Sequence, residues 1–143
     1  MSNDPYNLNR FLAAQQSTYA AVLAELRQGK KTSHWMWFIF PQLAGLGHSP
    51  TAQHYAIASL DEARAYLMHS ALGDRLRECV RMLENLPHGS SAVGVLGEVD
   101  AMKLRSSLTL FEAATGDDLF SAALDRWFDG VRDDATLRLL ARQ

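Results

Sequence analysis

Trp35–Phe40 reads WMWFIF, six apolar side chains in an unbroken row. The class of the fold turns on this run. As a strand it would need a partner strand; as a helix it leaves the chain all-α. Periodicity alone does not separate the two for so short a run. The aromatic content favours an extended strand. Against that, no pair of alternating segments joined by a hairpin dipeptide occurs in the chain, so a strand here has no obvious partner. Ser33 can cap a short helix, and Pro41 pushes the residue before it out of helical geometry. We read a short buried helix ending near Phe40. The following PQLAGLGHSP, Pro41–Pro50, holds two glycines and two prolines and is a loop.

Helical periodicity dominates on both sides of this run. Upstream, Leu8, Phe11, Leu12, Gln15, Tyr19, Val22, Leu23 and Leu26 recur at three- and four-residue steps and share one helix face. Asp4-Pro5 suits the start of that helix and Gly29 its stop. Lys30 and Lys31 follow the C-terminal end, where positive charge is favourable. Downstream, Ser59 with Glu62 forms a capping box ahead of Ala63, Tyr66 and Leu67. MHSALG, Met68–Gly73, interrupts or bends this helix. The next carries Leu72, Leu76, Val80, Leu83 and Leu86, and PHGSS, Pro87–Ser91, is a loop. Ala92–Leu96 adds a helical turn before Gly97. A strong helix then runs from about Asp100 to Thr115 and stops at Gly116. Asp117 caps a helix with Phe120, Leu124, Trp127 and Phe128 inward, closed by Gly130. Asp133 caps the last, with Leu137 and Leu140 inward. The expected architecture is all-α (mainly α). It is a single-domain bundle of about six helices over residues 1–143, with one long irregular aromatic and glycine segment at Lys31–Ser59.

Bulk properties narrow the function classes. The chain of 143 residues is 48% apolar and 21% charged, with a net charge of -2. That length suffices for one hydrophobic core. The charge gives no reason to expect nucleic acid or an anionic membrane as partner. Cys79 is the only cysteine, which excludes an internal disulfide and a cysteine-based zinc site. The N-terminus lacks a basic-then-apolar signal pattern, and no apolar run approaches the roughly 20 residues that span a bilayer. These features point to a cytoplasmic protein. The histidines His34, His48, His54, His69 and His88 form no metal motif, so neither metal nor cofactor is expected.

Two clusters carry candidate chemistry. In the first, Met36, Phe38, Ile39 and Phe40 read as core, because aromatic and aliphatic side chains at the centre of a small domain bury large areas. Trp35 and Trp37 carry indole N–H groups that need partners. His34 follows Lys30, Lys31 and Ser33 at a border between polar and apolar sequence. Aromatic rings beside basic residues can stack a base while the charge holds a phosphate. In the second cluster, Asp100, Lys103 and Ser107 fall within a narrow arc of one helix at about 100° per residue. The structural reading is that Asp100 caps the helix and pairs with Lys103 while Ser107 bonds back to the preceding turn. The functional reading is that the three point into a polar pocket between helices.

The strings DPYNLNRFLAAQ, ELRQGKKTSHWMWFIFPQLAGLGHS, YAIASLDEARAYLMHSALGDRL and LGEVDAMKLRSSLTLF resemble, nearly end to end, a bacterial and fungal family of uncharacterised proteins, domain of unknown function 1810. The resemblance implies a mainly helical single domain. The calpastatin label often attached to that family does not suit this composition, because a protease-wrapping inhibitor is disordered and poor in apolar residues. The family's signature strings include His34, Trp35, Trp37, Pro41, Gln42, Asp100, Lys103, Ser106 and Ser107, which favours one shared pocket. Helix order and scattered residue types are also similar to helical glycosidases acting on ADP-ribose-type nucleotides. That likeness implies a small nucleotide-like ligand and, for an enzyme, a hydrolase.

Two functions remain open at this stage. In one, Asp100, Lys103 and His34 act on a nucleotide-like ligand that Trp35, Trp37, Gln42 and Ser107 bind. In the other, the chain is a non-catalytic interaction module, monomeric or homodimeric through its aromatic segment.

Overall fold

The computed structural model describes residues 3–143, so residues 1 and 2 of the expected domain lie outside it. Among the described residues there are ten helices and no strand, only one isolated parallel bridge between Leu43 and Ile57. The fold is all-α. The excess over the expected six consists mainly of single-turn elements too short to show a period.

The WMWFIF run is helical. Met36–Ile39 forms α3, and Phe40 leaves helical geometry before Pro41. Helices α1 (Asn9–Gln16) and α2 (Tyr19–Gln28) replace the one long N-terminal helix expected. The break has a local cause. Thr18 Oγ1 donates to Ala14 O at 2.8 Å and competes with the backbone ladder, as Ser and Thr do near helix ends. Asp4 accepts from the N–H groups of Leu8 and Asn9, and Gly29 ends α2 in left-handed geometry, φ 74°. The glycine loop contains one more unexpected turn, α4 (Pro50–His54), capped by Ser49.

Helix α5 (Leu60–Met68) begins at the Ser59 cap, with Glu62 N donating to Ser59 Oγ. His69 ends it and caps α6 (Ser70–Glu84), its Nδ1 accepting from the N–H groups of Ala71 and Leu72. The short α7 (Ala92–Leu96) leads into α8 (Glu98–Thr115), then α9 (Asp118–Phe128) and α10 (Asp134–Ala141). One expectation needs correction here. Leu137 faces solvent and Thr136 is the buried residue of α10. On α6, Arg75 bonds Gln15 and stacks on Tyr19, and Arg77 pairs with Asp117.

The core centres on α8, which packs against α3, α5, α7, α9 and α10. Phe11, Trp35, Phe40, Tyr66, Phe111 and Phe120 are its largest fully buried side chains. Phe11 meets Tyr66 edge-on at 5.1 Å, and Tyr66 meets Phe111 at 5.4 Å. Such tilted pairs add stability beyond the area they bury. Gln15, read from the sequence as part of an apolar stripe, is the polar tie of this core. Its amide donates to Phe38 O and Tyr66 Oη and accepts from Arg75. One side chain thereby links α1 to α3, α5 and α6.

Candidate functional site

The site begins at the end of α2. Gly29 turns the chain, and the segment after it folds back onto Glu25. That carboxylate is buried and accepts four hydrogen bonds. Oε1 receives Thr32 N at 2.7 Å, Ser33 N at 2.9 Å and the Trp35 indole N–H at 3.0 Å. Oε2 receives the Ser33 hydroxyl. Burial alone would raise the Glu25 carboxyl. The hydrogen bonds from Ser33, Thr32 and Trp35 outweigh it and hold the group at about 2. Glu25 therefore fixes the path of residues 32–35 and answers where the Trp35 N–H goes.

Lys31 is fixed next. Its backbone N–H donates to Val95 O at 2.8 Å, and its side chain is only 8% exposed. The ammonium lies 2.8 Å from Asp100 Oδ2 and 5.1 Å from the Trp35 ring centre. Asp100 sits in the first turn of α8, where the helix dipole favours an anion. Its other oxygen is 3.7 Å from Lys103 Nζ, which stands 4.6 Å from the ring centre of Trp37. The two clusters are thus contiguous: Trp35, Lys31, Asp100, Lys103 and Trp37 follow one another in space. Two cations share one anion, so the group carries a surplus positive charge. The shorter pair belongs to Lys31, which leaves Lys103 the less compensated of the two.

Lys103 opens onto a groove of about 420 Å³ between α8, the glycine loop and the start of α10. Lys103, Gln42, Ser106 and Asp133 supply its polar wall, and Leu46, Val99 and Met102 much of its apolar wall. Gln42 also lines a small niche beside Trp37, Gly47 and Tyr55. The volume falls in the range of small-molecule sites, as does the mixture of apolar wall and a few polar groups. A larger cavity of about 710 Å³ lies against Asn3–Asn9 and His69, and none of the residues expected at the site lines it.

The residues expected at the site separate into three groups. Lys103 and Gln42 line the groove, and Trp37, half-buried, supports Lys103 from behind. Trp35, Asp100 and Ser107 are not among the lining residues. Trp35 is 1% exposed and presents no free ring face. Asp100 reaches the groove only through Lys103. His34 is exposed and stands outside the groove lining. Ser107 is fully buried and its Oγ has no hydrogen-bond partner among the described residues. The structural reading of this helix also needs correction. Gly97, not Asp100, occupies the N-cap position of α8. Ser106, not Ser107, bonds back to the preceding turn, at Met102 O. Among the described residues no group of three or more His, Cys, Asp or Glu is placed to hold a metal ion. No helix there is long and apolar enough to cross a membrane.

Sequence reasoning missed Glu25 and the role of Lys31. A signal for Glu25 was present: it falls three residues after Val22 and one before Leu26, on the edge of the buried stripe of α2. Lys31 gave none, since a lysine after a helix-ending glycine is expected to be solvated.

The family model described as "Protein of unknown function (DUF1810)" matches residues 5–140. The chain belongs to this family. A solved structure similar to this DUF1810 chain is the crystal structure of the conserved hypothetical protein Rv1873 from Mycobacterium tuberculosis. It is 48% identical, superposes with a TM-score of 0.94, and the match covers 96% of this chain and 99% of that one. No curated protein matches the chain. The DUF1810 comparisons therefore establish family and fold and assign no activity.

Proposed function

We propose that the chain is one helical domain, working in the cytoplasm, whose groove binds a small phosphate-bearing, nucleotide-like ligand of the ADP-ribose type. The observation that carries this reading is Lys103. It lines the groove while its nearest carboxylate, Asp100, is held more closely by Lys31, at 2.8 Å against 3.7 Å. A surplus ammonium at the wall of a partly apolar groove is complementary to an anion. Leu46, Val99 and Met102 offer apolar surface to the rest of the ligand, and Gln42 and Ser106 offer hydrogen bonds. Trp37 acts through Lys103, by a cation–π contact that holds the ammonium in place.

Asp100, caught between two lysines, serves to orient Lys103. Binding is therefore the primary reading, and hydrolysis of the ligand would use groups of the ligand-filled groove rather than His34 or Ser107. Calorimetry and thermal shift with inorganic phosphate, AMP and ADP-ribose test this. A ligand of the native state raises the melting temperature by mass action. The expected result is a rise with AMP or ADP-ribose that Lys103→Ala abolishes. No rise with any probe, or an equal rise in Lys103→Ala, would overturn it.

One observation favours a second reading, a surface for another protein. Val99 and Met102 at the groove are 67% and 64% exposed. Contiguous apolar exposure marks interaction sites. Sedimentation of the chain at high concentration addresses the homodimeric version, for which a monomer mass is the adverse result.

A further inference from the structure

The groove does not end at α10. A second trough of about 210 Å³ adjoins it, lined by Gly45, Leu46, Ala135, Arg138, Leu139 and Arg142. Leu46 and Ala135 line both, so the two troughs meet at an apolar waist. Arg138 lies on α10 and Arg142, four residues on, is its C-cap residue in right-handed helical geometry, so the two project from the same side. The trough is held by packing on both flanks. Gly45 has φ 103°, and a side chain there would meet Leu139 Cδ1 at 3.3 Å, so the loop lies directly on α10. The last residue, Gln143, is tied to Ala58 O at 2.9 Å, which places Arg142 beside it.

Charge in this region follows the same pattern as at Lys103. Among the described residues Arg138 has one carboxylate partner, Asp134 at 3.6 Å, with both side chains at least two-thirds exposed. Such a pair contributes little and yields readily to a better anion. Asp133, the acid on the groove wall, turns its Oδ2 into the start of α10, where it accepts from Thr136 N and Oγ1. The arrangement has cations at both ends and apolar surface between them.

Resting on the reading of the groove as a site for a phosphate-bearing nucleotide, and narrowing it away from ADP-ribose itself, whose two phosphates are adjacent, we infer that the ligand carries two separated phosphate groups, one on Lys103 and the other on the Arg138–Arg142 arm, with its ring and sugar over the Leu46–Ala135 waist. Arginine suits the second phosphate because its guanidinium can donate two parallel hydrogen bonds. A nucleoside 3′,5′-bisphosphate is the simplest probe of this class.

Calorimetry with AMP and with adenosine 3′,5′-bisphosphate distinguishes the two levels of the argument. For the wild type we expect the bisphosphate to bind at least tenfold tighter than AMP. In the double variant Arg138→Ala/Arg142→Ala that advantage should vanish while AMP affinity stays within twofold. Arg138→Lys/Arg142→Lys should retain part of it. Both arginines are exposed, so these variants keep the fold, and circular dichroism verifies that. Equal affinity for the two probes, with AMP still dependent on Lys103, overturns the two-phosphate inference and leaves the groove reading intact. Failure of both probes to bind overturns both.

Discussion

Glu25 offers a sharp test of how the aromatic segment is held. In the native state its carboxyl sits at about 2, against an ordinary value of 4.5. Folding and proton binding are linked, at 1.36 kcal/mol per pKa unit, so the hydrogen-bonded carboxylate contributes about 3 kcal/mol at neutral pH. The sign follows from the lowered value. The contribution is complete above about pH 5 and is lost as the pH falls toward 2. Glu25→Ala removes all four acceptor interactions and strands the buried Trp35 indole N–H together with two backbone N–H groups. At about 1–3 kcal/mol per unsatisfied buried donor, the cost is about 3 kcal/mol or more. For a chain of this size that is a fall in Tm of about 10 °C. Glu25→Gln behaves differently. Its amide oxygen can keep the three bonds now made to Oε1, and the Ser33 hydroxyl can rotate to accept from the new NH₂ group. We expect a cost of about 1 kcal/mol and a flatter stability profile between pH 5 and pH 2. Urea unfolding across that range measures both quantities. A loss below 1 kcal/mol in Glu25→Ala, or an unchanged acid slope in Glu25→Gln, would refute the assignment of Glu25 as the anchor.

Three other perturbations have definite outcomes. Gly73→Ala places a methyl carbon 2.1 Å from the carbonyl oxygen of Leu67, a backbone atom that cannot yield, so urea unfolding should show a loss above about 3 kcal/mol. Ser107→Ala deletes a fully buried hydroxyl that has no partner and should be neutral or stabilising by about 1 kcal/mol, whereas Ser106→Ala should cost about 1 kcal/mol through its bond to Met102 O. Burial pushes the Cys79 thiol up to about 12, so a thiol reagent at neutral pH should leave the native chain unmodified and react at once in denaturant.

The fold was legible wherever a local signal had a single physical meaning. Ser59, Asp117 and Asp133 cap helices because a short oxygen-bearing side chain is well suited to reach the free N–H groups of a first turn. Gly29 and Gly116 end helices in left-handed geometry that other residues resist. The misreadings have an equally local origin. The stripe from Leu8 to Leu26 continues in phase across Ser17–Thr18, so periodicity cannot reveal the break between α1 and α2. Leu137 fits the apolar pattern of α10 yet faces solvent, because pattern fixes relative faces and not which of them meets the core. A single turn such as α4 has no period at all, and its only mark is Ser49-Pro50, a cap followed by a residue suited to the first helical position.

The site was legible in part, and the two tryptophans show the limit. Residues 35 and 37 have identical side chains and nearly identical neighbours, so sequence assigns them the same role. Their fates diverge because Trp35 lies within reach of Glu25, ten residues earlier, and Trp37 within reach of Lys103, sixty-six residues later. The first contact draws an indole N–H into the core and closes both ring faces. The second sets a ring beneath an ammonium at the wall of a groove. Neither contact follows from composition or spacing; each depends on how Gly29 reverses the chain and how α8 is laid across it. The i, i+3 spacing of Asp100 and Lys103 was enough to pair them, but not to show that Lys31 takes the larger share of Asp100. That division of one carboxylate between two lysines is what leaves charge at the groove. Long-range contacts that sequence spacing does not encode therefore decide which member of each candidate cluster can meet a ligand.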